Sequence, residues 1–368
     1  MMRLQFLIFP AIMILVIGYV YYRIWHILPF SSPMKWLTTI ILFIPFGLFF
    51  AYMSSRSDNT SLWVNQLFST VSTSWIVILL YLLMIFFVTD ISRLFIPAIR
   101  PWFNNSWVGT IGIAVFLLFI FGIGNLWYQH KVRVPLDIQL DKPLYPIKIV
   151  GISDLHLGYT IGKRELGKWV DLINSENPDV ILIAGDLIDS DIVPVERQQM
   201  YEELSHLKSK YGVYACLGNH DYYADTLKSI PFIKKAGIQL LKDEAVLVNN
   251  EFYVVGRDDR TNERGRKSLT ELIKLLDKNK PIILMDHQPY ELEKTKEAGV
   301  DFQLSGHTHR GQIFPISLIT DMVYEISHGY LQKGNSHFYV SSGIGLWGGK
   351  FRIGTQSEYL VIKMAGHK

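Results

Sequence analysis

The first third of the chain contains four long apolar runs separated by short polar segments. The runs cover Leu4–Tyr22, Trp36–Met53, Val71–Thr89 and Trp107–Trp127. Each is close to the roughly 20 residues that a helix needs to cross the hydrocarbon core of a bilayer. Tyrosine and tryptophan are concentrated at the ends of the runs, as is typical of a membrane–water interface. The pattern predicts an α-helical region of four transmembrane spans over residues 1–130.

The predicted spans are typical of an anchor or an oligomerisation element. None of the four runs contains an ionisable side chain, and charges within the membrane usually mark a transport pathway. Arg3 precedes the first run, but no small-residue cleavage site follows before Arg23, which indicates an uncleaved helix. An even number of spans places the N-terminus and the rest of the chain on the same side of the membrane. Basic residues near the membrane, Arg56 among them, are divided equally between the two faces, so the side stays open.

From residue 146 onward, short apolar runs alternate with amphipathic segments. Glu165–Ser175, for example, has apolar residues at helical spacing. Strands buried on both faces of a sheet are typically continuous apolar runs of this kind. The alternation predicts an α/β domain over residues 146–368, joined to the membrane region by a connector over residues 131–145. The strand-like runs are Ile147–Ser153, Val180–Ala184, Val213–Leu217, Pro281–Met285 and Phe302–Leu304.

Composition agrees with this division. The chain is 49% hydrophobic with a mean hydropathy of +0.20, and few of its charged residues precede residue 131. The net charge of +3 is too small to indicate a nucleic-acid partner. Cys216 is the only cysteine and lies in an apolar run. This excludes a disulfide framework and a thiolate metal site, and favours a buried thiol in the core.

Each predicted strand ends in residues that can bind a metal ion. Open α/β sheets place their ligands at the carboxyl ends of the strands, so these side chains are predicted to converge on one site. Aspartate and histidine with one asparagine and no cysteine favour Mn, Fe or Zn. A shared carboxylate can hold two such ions about 3.5–4 Å apart. The segments are Asp154-Leu155-His156, Gly185-Asp186-Leu187-Ile188-Asp189, Gly218-Asn219-His220-Asp221, His287 and Gly306-His307-Thr308-His309.

In their order these five segments resemble the signature of the calcineurin-like metallophosphoesterase superfamily, over about residues 147–362. The resemblance implies a four-layer α/β sandwich, in which two sheets are flanked by helices. It also implies hydrolysis of a phosphoester or pyrophosphate bond by a hydroxide that two divalent metal ions activate. The first ion would be bound by Asp154, His156, Asp186 and His309. The second would be bound by Asn219, His287, His307 and the same, bridging Asp186.

The resemblance also implies that His220 protonates the leaving oxygen and that Asp221 orients its ring. Asp189 is expected to support a ligand rather than to bind metal. Asp286 could hydrogen-bond His287 or remain solvated. Arg257-Asp258-Asp259 favours a cluster that stabilises a loop, and Arg310 could contact phosphate or lie on the surface.

The segments Gly306–Ile313 and Phe338–Ile362 resemble a branch that contains membrane-anchored bacterial phosphoesterases and UDP-diacylglucosamine pyrophosphohydrolases. We therefore expect a multi-pass protein of the bacterial cell membrane, with the bilayer as a partner and a phosphorylated, lipid-linked compound as one candidate substrate. Arg310 stands where that branch often has a small residue. The alternative is an inactive phosphoesterase fold that serves as a membrane scaffold or sensor. A nuclease is disfavoured, because the sequence has no basic, aromatic groove. Oligomeric state stays open.

Overall fold

The computed structural model describes residues 2–54 and 60–367, with side chains from 14–48 and 60–367. The chain forms two compact units, Met1–Ile123 and Gly124–Lys368. The first unit is helical. Its helices are α1 Met2–Ile27, α2 Ser32–Ser54, α3 Leu62–Phe95 and α4 Trp107–Gln129, the last of which continues into the second unit, with a short 3-10 helix at Pro97–Phe103.

Two of these helices, α3 and α4, are long and apolar enough to cross a membrane. They have 34 and 23 residues and contain the third and fourth predicted spans. Where side chains are described, the apolar parts of α1 and α2 are the shorter segments Ile14–Ile27 and Ser32–Leu48. By length and composition, the described residues therefore support two of the four predicted spans. Arg56, which entered the charge count for topology, lies outside the described residues.

The helices of the first unit extend beyond the predicted spans and bring charged residues together. Arg23 and Arg93 lie 3.0 Å and 3.1 Å from Asp90 Oδ1. The Tyr19 hydroxyl donates to Asp90 Oδ2 at 2.7 Å, and Arg23 is buried. The predicted spans contain no charged side chain. The helices that contain them continue past the ends of these spans, and the ion-paired residues Arg23 and Asp90 lie directly after the first and third spans.

The second unit is built on two six-stranded sheets with parallel centres. The first sheet has the strand order β1-β12-β2-β3-β4-β5 and the second β10-β11-β9-β8-β7-β6. The strands are β1 Lys131–Leu140, β2 Ile147–Ile152, β3 Val180–Ala184, β4 Val213–Cys216, β5 Gln239–Leu240, β6 Glu244–Val248, β7 Phe252–Gly256, β8 Ile282–Met285, β9 Phe302–Ser305, β10 Gly329–Lys333, β11 Ser336–Val340 and β12 Ser357–Gly366. The helices are α5 Lys163–Ser175, α6 Val193–Arg197, α7 Met200–Leu204, α8 Asn219–Tyr223, α9 Thr226–Lys235, α10 Leu269–Ile273, α11 Leu292–Ala298 and α12 Ile316–Val323, with a 3-10 turn at His309–Gly311.

The two sheets pack face to face, and helices cover their outer faces. Leu182 of β3 belongs to the core between the sheets, together with Phe302 of β9. Its neighbour Ile183 belongs to the core beneath the helices, with Trp169 of α5. Successive strand residues point to opposite faces, so strands that are apolar throughout serve both cores. The predicted α/β architecture of two sheets is confirmed.

The predicted connector contains a strand. β1 pairs in parallel with β12, Lys131 lying opposite Ser357 and Leu140 opposite Gly366. Its sequence, KVRVPLDIQL, alternates polar and apolar residues with the period of a strand that has one covered face. Ile138 and Leu140 are buried in the core between the sheets. The membrane-type helix α4 is thus followed almost directly by an edge strand of the sandwich.

Candidate metal centre

The polar segments meet where strands of both sheets end. In the first sheet, the predicted ligands lie on the segments that follow β2, β3 and β4. In the second sheet, the remaining predicted ligands lie on the segments that follow β8 and β9. The carboxyl ends of parallel strands share one edge of a sheet, which explains the convergence. All of the predicted ligands come together at this edge, and His307 and His309 are the most accessible of them. The residues are Asp154, His156, Asp186, Asn219, His287, His307 and His309.

Strained turns hold several of these side chains in place. Asp154, His156, Asp186, His307 and His309 all have φ between +46° and +71°. Such a conformation costs a residue other than glycine about 1–3 kcal/mol. Strain of this kind persists where the surrounding structure fixes it, and it clusters at functional sites. Its concentration on five predicted ligands is independent support for a site here.

Two glycines let the backbone approach the carboxylates closely. A Cβ atom on Gly218 would lie 2.2 Å from Asp186 Oδ1, and one on Gly306 would lie 2.3 Å from Asp154 Oδ2. Real Cβ atoms do not approach other atoms so closely. Both positions therefore require glycine, as the sequence pattern indicates.

One group of possible ligands consists of Asp154, His156 and His309. The Nε2 atoms of the two histidines are 3.0 Å apart. Asp154 Oδ1 lies 3.5 Å from His309 Nε2 and 4.0 Å from His156 Nε2. Burial and the neighbouring His156 ring lower the pKa of His309 well below its usual value. His309 is therefore neutral and keeps a lone pair for a metal ion.

A second group consists of Asp186, His287 and His307, with Asn219 between the rings. Asn219 Oδ1 is 3.2 Å from His287 Nε2 and 2.8 Å from His307 Nδ1. His287 Nδ1 donates to the Ala184 carbonyl at 2.8 Å, which leaves Nε2 directed at the group. Burial alone would lower the pKa of His287, but Asp186 and Asp154 raise it well above its usual value. The site therefore attracts a cation, whether a proton or a metal ion.

Asp186 connects the two groups. Its Oδ2 lies 3.1 Å from His287 Nε2 and 3.6 Å from His156 Nε2. Its Oδ1 accepts a hydrogen bond from the His220 backbone N–H at 2.8 Å. Burial would raise the pKa of this carboxyl, but the neighbouring His287 and His156 side chains hold it below its usual range. Asp186 is thus an ionised carboxylate within reach of both groups.

The donor set fits divalent metal ions of borderline hardness. Within each group the nitrogen and oxygen atoms all lie within 4.8 Å of one another. The donors are imidazole nitrogens, carboxylates and one amide oxygen, which suit Mn, Fe or Zn. A third such group contains His156, Asp186 and His220.

His220 is held by Asp189. Its Nδ1 lies 2.6 Å from the Asp189 carbonyl oxygen and 3.3 Å from Asp189 Oδ1. The same Oδ1 lies 3.2 Å from His156 Nδ1. Burial alone would lower the pKa of His220, but Asp189 and Asp186 raise it to about 9. Asp189 thus supports a predicted ligand, as expected, and a predicted proton donor as well.

Asp221 does not have the contact that the sequence predicted. Its carboxylate accepts hydrogen bonds from the backbone N–H groups of Gly218 and Ile188, both at 2.9 Å. Burial and the nearby Asp186 raise its pKa to about 6. The residue that contacts the His220 ring is Asp189, not the predicted Asp221. Asp221 fixes the turn before α8 instead.

The other charged candidates mostly stabilise loops. Asp286 is ion-paired with Arg257 at 2.9 Å and with Arg266 at 2.8 Å. It is buried, so it is not a solvated turn residue. Asp259 accepts from the Gln288 amide at 3.0 Å. Arg310 is exposed and lines a cavity of about 240 Å³.

Arg352 was not singled out from the sequence, although it holds the loop of the last two ligands. It is fully buried, and its guanidinium donates to the carbonyls of His309 at 2.9 Å and of Ser342 and Gly345 at 2.6 Å. No local motif marks it, because its partners come from distant loops. Two aromatic residues were also missed: the Tyr324 ring is 6.2 Å from the His307 ring and the Tyr223 ring is 5.2 Å from the His220 ring.

Comparisons with known proteins show which families and chains this protein is similar to. The family model for calcineurin-like phosphoesterases matches residues 147–311. An uncharacterised metallophosphoesterase of Helicobacter pylori strain J99 is 32% identical, with 73% of each chain covered. A zebrafish (Danio rerio) protein, named a transmembrane protein with metallophosphoesterase domain, is 30% identical over 68% of this chain and 61% of its own. A Thermus thermophilus protein of solved structure, TT1561, has a TM-score of 0.39 and 15% identity over 54% of this chain and 91% of its own.

The resemblance seen in the sequence is confirmed, and with it the general class of reaction. The strand-end motifs, the grouped nitrogen and oxygen donors and the similarity to named metallophosphoesterases all agree. This chain belongs to the calcineurin-like phosphoesterase family and is a hydrolase that acts on phosphate esters.

Proposed function

We propose that the protein is an integral-membrane phosphoesterase that uses two divalent metal ions to hydrolyse a phosphoester or pyrophosphate bond of a lipid-linked substrate. The observation that carries the dinuclear part is the position of Asp186. Its Oδ2 lies within 3.6 Å of a histidine from each ligand group. A shared carboxylate of this kind is the usual link between paired metal ions.

The ligand sets predicted from the sequence are kept in this proposal. When bound, the two ions neutralise charge on the phosphoryl oxygens and lower the pKa of a water molecule. We assign to the first ion Asp154, His156, Asp186 and His309, and to the second ion Asp186, Asn219, His287 and His307.

The chain's own contribution to proton transfer is assigned to His220. Its Nδ1 faces the Asp189 carbonyl, which is an acceptor only, so Nδ1 carries a proton. With its pKa raised to about 9, the ring is also protonated at Nε2 at neutral pH. It is partly accessible, so Nε2 can deliver that proton to a leaving oxygen. Asp189 acts as a positioning residue that fixes the ring.

The membrane part of the proposal rests on two observations. Helices α3 and α4 are long and apolar enough to span a bilayer, and relatives from zebrafish and Bos taurus are named transmembrane proteins. We propose a multi-pass, four-span anchor in a bacterial cell membrane, with the phosphoesterase unit on the side of the N-terminus. A substrate with a lipid tail then stays within the same membrane as the enzyme.

The proposal is tested on the full chain, purified in detergent, with Mn²⁺ added. We expect two metal ions per chain by elemental analysis, and release of phenol from a phenyl phosphodiester or of phosphate from a lipid pyrophosphate. His220→Ala should keep both ions and lose about 10²–10⁴-fold in rate, the usual contribution of a general acid. Asp186→Asn should lose metal as well as activity.

Three outcomes would count against the proposal. Full activity of His220→Ala would remove the assigned proton donor, and one bound ion or none would remove the dinuclear site. Two ions with no turnover of any phosphate ester would instead favour the scaffold or sensor.

A further inference from the structure

Helix α12 exposes an apolar surface that the phosphoesterase fold does not use. None of its eight residues is buried. Leu318 and Met322 are 53% and 78% exposed, and Ile319, Val323 and the preceding Phe314 are also exposed. Soluble surfaces rarely leave so many neighbouring large apolar side chains in water without a function. We call these five side chains the α12 patch.

The α12 patch is tied to the candidate metal centre at both ends. Before the helix, Gly311 ends the turn that contains His309, and a Cβ atom there would lie 2.3 Å from the Ser317 nitrogen. After the helix, the Tyr324 ring lies 6.2 Å from the His307 ring. The helix that carries the α12 patch is therefore flanked on both sides by residues next to the proposed ligands His307 and His309.

The α12 patch is also connected to the last turns of α4, which belong to the second unit. The Phe314 N–H donates to the Ile353 carbonyl at 2.8 Å, and the neighbouring Arg352 N–H donates to the Gly124 carbonyl of α4 at 2.9 Å. Leu126, two residues after Gly124 in α4, is 63% exposed. Exposed apolar side chains thus occur both on the α12 patch and on the end of α4, which these hydrogen bonds connect.

We propose that the α12 patch inserts shallowly into the lipid bilayer next to the end of α4, and holds the mouth of the metal site at the membrane surface. This inference rests on the proposed membrane anchorage. The occupant is lipid, because α4 is one of the helices long enough to cross a membrane, so a bilayer lies at its end. A short helix with an apolar face is suited to the interface between headgroups and acyl chains.

Aromatic residues around the α12 patch support the same occupant. Trp127 near the end of α4 and Trp347 are both exposed, as is Phe314 within the α12 patch itself. Trp347 is joined to the turn before α12, since the Gln312 side chain donates to its carbonyl at 2.9 Å. Tryptophan is enriched at the level of the lipid headgroups. The substrate class that this surface favours is a phosphate ester whose lipid tail remains in the bilayer.

A fluorescent probe on the α12 patch tests the proposal. Cys216 is the only cysteine and is buried, so a cysteine introduced by Met322→Cys can be labelled selectively with a nitrobenzoxadiazole dye. The full chain is reconstituted into phosphatidylcholine and phosphatidylglycerol vesicles, some with lipids that carry a spin label on the acyl chain. Leu275→Cys is the matched control, because Leu275 is a 92% exposed leucine after α10.

We expect the spin-labelled lipid to quench the probe at position 322 several-fold more than the probe at position 275. Equal quenching at both positions would overturn the proposal. Energy transfer between labelled chains without lipid quenching would also overturn it, and would identify a second copy as the occupant. Flotation of the wild-type chain with vesicles tests anchorage separately. Since quenching needs no turnover, repeating it in the His220→Ala background separates this proposal from the proposed reaction.

Discussion

The contact between Asp189 and His220 predicts how Asp189→Asn changes the pH dependence of the reaction. Asp189 Oδ1 lies 3.3 Å from His220 Nδ1. An asparagine keeps an oxygen acceptor and the backbone carbonyl but removes the negative charge. An opposite charge at this range raises the pKa of an imidazole by about 1–3. Asp189 is one of two carboxylates that raise the pKa of His220 to about 9 against the effect of burial.

Without that charge, we expect the pKa of His220 to fall to about 7–8. The proposed proton donor acts only when protonated, so kcat/KM falls as pH rises through this pKa. The alkaline limb of the pH profile should therefore move to lower pH by about one to two units. At pH 8.5 the variant should be about tenfold slower than the wild type, and at pH 6.5 nearly equal to it.

The assay is kcat/KM against pH with saturating Mn²⁺, on a phosphodiester with a phenyl or alkyl leaving group. Such a leaving group needs a proton, whereas nitrophenolate departs without one. Asp221→Asn is the matched control, because it makes the same chemical change in a buried carboxylate that bonds to backbone N–H groups. Its alkaline limb should stay in place. An unmoved limb in Asp189→Asn, with both ions still bound, would refute the assignment of His220.

Three further changes probe the site and its support. Gly218→Ala would place a Cβ atom 2.2 Å from Asp186 Oδ1, so we expect the Mn²⁺ concentration needed for half-maximal activity to rise at least about tenfold. The control is Gly167→Ala in α5, where the nearest atom to a Cβ would lie at 3.4 Å. It should leave Mn²⁺ activation unchanged. Arg352→Met leaves three buried carbonyls without their donor and should cost about 3 kcal/mol or more in thermal unfolding, whereas the exposed Arg310→Met should cost under about 0.5 kcal/mol. Chelation should lower the unfolding temperature of the wild type, because ligands that bind only the folded state stabilise it, but should have little effect on Asp186→Asn; equal shifts would argue against metal binding at Asp186.

The ligands of the candidate site could be predicted from the sequence because each follows an apolar strand. Parallel strands bring their carboxyl ends to one edge whatever the connections between them. The support of His220 could not be predicted in this way. Asp221 is its neighbour in sequence, but adjacent residues at the start of α8 point in different directions. The carboxylate that reaches His220 comes from Asp189, on the loop after β3.

The same distinction applies to the fold. Strands such as β3 could be predicted because they are apolar on both faces, whereas β1 alternates and its partner is distant in sequence. The exposure of helix α12 also could not be predicted from its sequence, because apolar residues at helical spacing normally indicate a helix face that is buried in the core. Its exposure depends on what the rest of the fold leaves uncovered, and this is a tertiary property.

The pairing of β1 with β12 has a consequence for the order in which the protein is made. The ribosome releases β1 directly after α4, but the strand beside it in the sheet begins only at Ser357. Until then β1 is an unpaired strand with an apolar face, held at the end of a membrane-type helix and open to pairing with other chains. The strands β2 to β5 can assemble meanwhile, because they pair with one another in sequence order. A translation product that stops before β12 would therefore contain every proposed metal ligand, but its sheet would lack the strand that joins β1 to β2.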